Sequence, residues 1–95
     1  MSFGVIHRFP GGTKEQYDNG IKVVHPNGGR DLPAGQTLHV AGATAEGWVI
    51  IAVHDSQASW ETFRDSVLMP GLASVENGLP PPEETTFEVH KVQTA

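Results

Sequence analysis

Trp48-Val49-Ile50-Ile51-Ala52-Val53, the run that leads into His54, is apolar at every position. A strand sends alternate side chains to opposite faces, so a run apolar on both parities reads as a strand covered on both sides. Upstream, Gln36 to Ala41 is a second strand-like run, and the connection through Gly42 and Gly47 makes the two a hairpin. Downstream, Ser56 is suited to cap a helix carrying Trp60, Phe63 and Val67 on one face. Pro70 breaks or bends that helix, and a further turn through Leu72 and Val75 closes at Asn77-Gly78.

The flanks complete the pattern. Phe3 to Phe9 alternates as a strand and stops at Pro10-Gly11-Gly12. Thr13 and Gln16 form a capping box for a helix with Tyr17, Ile21 and Val24 on one face. Pro26 disfavours helical geometry at His25 and ends that helix. His25 to Gly35 is a Gly/Pro-rich loop, long enough for a functional role. After the stiff Pro80-Pro81-Pro82 connector, Thr85 to Val92 reads as the last strand. The order is β-α-β-β-α-β, one α+β domain over residues 1–95 of ferredoxin-like type. Two helices are expected on one face of a four-stranded antiparallel sheet. The two-sided apolarity of the central strand requires a cover for the other face, and a second copy of the chain is the simplest one.

A chain of 95 residues has a small core, which disulfides, metals or oligomerisation often supplement. Cysteine is absent, which excludes disulfides and thiolate metal sites and favours a homodimer. The net charge is −5, and the six Lys and Arg residues are scattered, so a nucleic-acid partner is not expected. No run reaches the roughly 20 apolar residues that span a bilayer. The opening MSFGVIHRF lacks the charge and apolar length of a signal peptide, so no membrane partner and a cytoplasmic location are expected.

Candidate chemistry rests on five histidines. Imidazole is the side chain that exchanges a proton near neutrality, with an ordinary pKa of about 6.5. His7 and His54 end the first and third strands, which are expected to run parallel as neighbours and to bring both rings to one end of the sheet. That would make them an acid–base pair. The face occupied by His39 depends on hairpin register, because a one-residue slip reverses it. His90, late in the last strand, is expected to be exposed. No metal-binding motif occurs and no two histidines lie closer than 14 positions, although three could still converge in space. His54-Asp55-Ser56 is not a triad, since neighbours on a strand point apart. Tyr17 and Trp48, with Arg8 next to His7, are the candidate substrate-binding residues; Trp60 and Phe63 suit the core.

Two stretches carry a family resemblance. One is the opening strand followed by Phe9-Pro10-Gly11-Gly12-Thr13; the other is Val53-His54-Asp55-Ser56 with Ala58, Trp60 and Phe63 behind it. With the length and element order, these resemble the dimeric α+β barrel superfamily, and within it the antibiotic biosynthesis monooxygenase-like proteins. His54 stands where that family commonly has Trp, so the role of that Trp does not carry over. The resemblance implies a homodimer with facing sheets and a ligand pocket between sheet and helices. It also implies a substrate range that includes polyketide-like phenols. The expectation is a small homodimeric enzyme that binds a hydrophobic aromatic or polyketide-like molecule. It would carry out monooxygenation or cyclisation without a cofactor, using His7, His54 and His39. A non-catalytic binding or scaffold protein, and a histidine-ligated metal enzyme, are the alternatives.

Overall fold

Apolar and polar residues alternate from Phe3 onward, and in the computed structural model, which describes residues 1–95, they form strand β1 (Phe3–Pro10). Phe3, Val5, His7 and Phe9 are buried on one face. The capping box forms as the sequence predicts. Thr13 Oγ1 accepts from the Gln16 backbone N–H, and Gln16 Oε1 accepts from the Thr13 N–H. Helix α1 (Lys14–Val24) follows and ends where pre-proline His25 turns extended. A single turn, α2 (Pro26–Gly29), holds Asn27 and Gly28 in the left-handed region.

Strands β2 (Gln36–Thr44) and β3 (Gly47–His54) form the hairpin, and β4 (Glu83–Glu88) closes the sheet in the order β2-β3-β1-β4. Gly47 is required by close approach, since a Cβ there would lie 2.3 Å from the Phe9 carbonyl oxygen. Every neighbouring pair is antiparallel. The expected parallel pairing of the first and third strands is therefore corrected. The β1-α1 crossover brings β2 back in the direction of β1. The tight hairpin then reverses the chain, so β3 must enter beside β1 in the opposite sense. Phe3 faces His54 across the pair, and His7 faces Ile50.

The second helical run is three pieces, and with α2 this departs from the six-element series. Helix α3 (Gln57–Phe63), capped by Ser56 Oγ, passes into a π-helical turn at Arg64–Leu68 and then into α4 (Met69–Ala73). Pro70 has no N–H to give, and its ring crowds the carbonyl four residues back. The wider turn, with Met69 N–H donating to Arg64 O, accommodates it. The extra residue rotates Val67 outward, where it is 39 % exposed, contrary to the expected core position. Leu68 and Leu72 pack instead against the core of Phe3, Val5, Val24, Trp60 and Phe63.

The last strand is Glu83–Glu88, not Thr85–Val92, and all of it is exposed. Strand length is set by the partner. Glu88 faces Phe3, the first residue of β1, and beyond one bond from Val89 N–H to Ser2 O no strand remains to pair with. The helices cover one face of the sheet. The other carries Ile6, Val40, Val49 and Ile51, together with Phe87, whose ring lies over Gly4. Val40 is 50 % exposed and Phe87 42 %.

Candidate functional site

Between the covered face of the sheet and the helices lies a cavity of about 310 Å³. Its walls are largely apolar: Val5 and Phe9 from β1, Ile21 and Val24 from α1, Leu68 and Leu72 from the second helical run. Such a space suits a small apolar ligand fixed by a few polar groups.

A bulge decides which histidines reach it. Gln36 faces His54, but Leu38 already faces Val53, so Thr37 is the extra residue in β2. Alternation shifts by one there, and both Gln36 and His39 face the helices. His39 Nε2 and the Tyr17 hydroxyl share a hydrogen bond of 2.7 Å. Burial lowers the His39 pKa. It raises that of Tyr17, helped by Asp18, so the phenol keeps its proton. Tyr17 and His39 both line the cavity.

His7 lines it as well, and its Nε2 meets Glu84 Oε2 at 2.7 Å. This engagement leaves Nδ1 as the nitrogen for a ligand. The expected pairing of His7 with His54 does not form. Because β1 and β3 are antiparallel, the two lie four strand positions apart, roughly 13 Å at about 3.3 Å per residue. The Trp60 indole contacts both rings, with centroids 5.6 Å from His7 and 5.5 Å from His54. His54 is fully buried beneath the cavity, against Trp60 and Phe63, and its Nε2 accepts from Gln36 Nε2 at 3.2 Å. Burial lowers its pKa, partly opposed by Asp55.

The remaining nominated residues lie elsewhere. Arg8 is on the open face, with Nη1 donating to Thr85 Oγ1 at 3.3 Å. Trp48 is buried behind the cavity wall, its ring 5.3 Å from that of Tyr17. His90 is exposed, past the end of β4. No three His, Asp or Glu side chains are grouped so as to hold a metal ion, and no helix is long and apolar enough to cross a membrane.

Among the lining residues that sequence reasoning missed are His25, Gln36 and Glu84. His25 looked like the end of a helix. Its ring stands edge-on to His39, with centroids 4.6 Å apart, and is 7 % exposed. Its pKa is lowered to about 4, first by burial and then by His39 and His54, against the opposing Asp31 backbone. Glu84 shares the parity of His7 only once β4 is registered on β1. Gln36 Oε1, His39 Nδ1 and His54 Nδ1 are buried without a partner. Each such group costs about 1–3 kcal/mol, so stability alone does not account for this cluster. Comparison with known proteins returned no match: no family model, curated protein or solved structure is significantly similar to this chain.

Proposed function

We propose that this chain is a small enzyme that binds a hydrophobic, aromatic or polyketide-like molecule in the cavity and moves a proton without an organic cofactor. The observation that carries the reading is an apolar cavity with a 2.7 Å phenol–imidazole hydrogen bond in its wall, between Tyr17 and His39. Cofactor-free oxygenation and cyclisation both begin by forming a carbanion or phenolate, which needs a base and a dry, shaped site. His7, oriented by Glu84, is the proposed base, and Tyr17–His39 the proposed proton donor. His54 supports Gln36 from below.

The α+β class, the four-stranded antiparallel sheet and the single helix-covered face support a ferredoxin-like, dimeric α+β barrel reading. The apolar open face supports a homodimer. One observation favours the rival, a non-catalytic binding protein: burial lowers the pKa of His39 and drops that of His25 to about 4, which makes two of the three imidazoles lining the cavity poor bases.

Exchange of the acidic C–H of 2-tetralone for deuterium in D₂O separates the two. The enzyme reading expects exchange faster than in buffer with no cofactor added, and slower again for His7→Ala. Binding of 2-tetralone without acceleration would leave the non-catalytic reading.

A further inference from the structure

The cavity proposed above as the ligand site carries hydrogen-bonding groups at two separate places. At one end is His7 on β1. Its Nε2 meets the Glu84 carboxylate at 2.7 Å, and an ionised carboxylate only accepts, so Nε2 carries the proton. In the neutral ring Nδ1 is then bare. It makes no hydrogen bond, yet it is not sealed among packed atoms as Nδ1 of His39 and Nδ1 of His54 are. His7 projects from the helix-covered face of the sheet, so the space open to Nδ1 is the cavity.

At the other end is the Tyr17 hydroxyl. Tyr17 belongs to α1 and His39 to β2, and their 2.7 Å hydrogen bond carries the tyrosine side chain from the helix layer to the sheet. Both residues line the cavity, so the contact is part of its wall. A hydroxyl has one donor and two acceptor positions. His39 uses one of them whichever way the shared proton sits, and a ligand can use another. His25, edge-on to His39 with centroids 4.6 Å apart, belongs to this same end.

Sheet register sets how far apart the ends are. His7 stands beside Ile50 and His39 beside Ala52, with β3 between their two strands. Two strand spacings of about 4.8 Å and two residues of about 3.3 Å give a diagonal of roughly 12 Å between their backbones. Apolar Ile50 and Ala52 form the floor of that span, and Ile21 and Leu72 lie in the walls. We infer that the cavity recognises a flat, elongated molecule with an oxygen at each end. A phenol or enol O–H donates to His7 Nδ1, and a second hydroxyl or a carbonyl pairs with the Tyr17 hydroxyl. The apolar body between them covers Ile50 and Ala52. This rests on the reading of the cavity as a ligand site and adds to it the positions of the two oxygens.

Calorimetry on the intact protein at pH 7 with 2,6-dihydroxynaphthalene and 2,3-dihydroxynaphthalene tests this. The isomers share composition and ring body; the first has its oxygens at opposite ends, the second at one end. The 2,6 isomer is expected to bind about tenfold more tightly, the effect of one further hydrogen bond in a dry site. His7→Phe and Tyr17→Phe each keep an aromatic ring and remove one end, and each is expected to abolish the preference. Equal binding of the isomers by wild-type protein, or a preference that survives in either variant, would overturn the proposal while the cavity reading stood. If neither isomer bound, both would fall. Should either variant not fold, NMR of the wild-type protein decides. The 2,6 isomer is expected to move the side-chain resonances of both His7 and Tyr17, and the 2,3 isomer those of one of them; the same set moving with both isomers overturns the proposal.

Discussion

Three rings, His25, His39 and His54, have pKa values lowered by burial, and His25 shows the effect on stability most directly. Its pKa is about 4 in the fold and about 6.5 in the unfolded chain, so between those values the unfolded state binds a proton that the folded state refuses. Stability is therefore expected to be unaffected by this group above pH 6.5, to fall as pH drops below it, and to level off near 4. Each unit of depression is worth about 1.4 kcal/mol. Urea melts from pH 8 to pH 4 would check this, and His25→Phe should make the fall shallower, leaving the part due to His39 and His54; an equally steep profile in that variant would assign the whole fall to other groups. His54 and Gln36 make a second residue-level case. His54→Ala opens a void and strips Gln36 of its partner, an expected loss of about 2–4 kcal/mol. Gln36→Leu with His54→Leu removes the buried partnerless atoms of both residues at once, so the double variant should be more stable than His54→Ala in the same melts.

At the scale of elements, backbone chemistry decides where each piece starts and stops. The Thr13–Gln16 box secures the start of α1, and Thr13→Ala is expected to cost about 1 kcal/mol. That loss should appear in thermal melts, and as faster amide exchange in the first turn of the helix. Gly47→Ala is expected to cost more, because the new Cβ would meet Phe9 O, Gly11 N and Gly12 N, all backbone atoms, within 3 Å. A melting temperature equal to wild type would mean that the hairpin end yields more easily than this packing indicates. The capping box, Ser56 as N-cap and the halt at Pro26 were readable in advance, because each depends on residues no more than three positions apart. The π-helical turn was not. Pro70 announces a disturbance, but whether the chain kinks, breaks or widens depends on what packs against it.

For the whole molecule, the unanswered surface is the open face of the sheet. Ile51 sits at its centre on β3, between Ile6 and Val40 on the two neighbouring strands. Burying such area at about 25 cal/mol per Å² would supplement a small core. The expected species is therefore a dimer of the 10.2 kDa chain by light scattering at micromolar concentration. Ile51→Lys should shift it toward monomer, since pairing would then bury two unpartnered ammonium groups. A wild-type monomer would remove the dimer from the proposed function and leave the cavity as it stands.

Local pattern determined β1, α1, the β2–β3 hairpin and the start of α3, because hydrophobic period, capping residues and proline act over a few positions of chain; it did not give α2, the π-helical turn or the bounds of β4. The same reasoning marked histidines as its distinctive chemistry and nominated His7, His39 and Tyr17, all of which line the cavity. Which of them meet was decided by tertiary structure. Antiparallel pairing of β1 with β3 separated His7 from His54, and one extra residue at Thr37 turned His39 toward the helices. The register of an edge strand joined Glu84 to His7, and the extended backbone of His25 past the end of α1 came with its ring against His39. These contacts join residues 14 to 77 positions apart. Their geometry depends on strand direction and register, which arise only when the whole sheet is assembled, so no short window of sequence contains it.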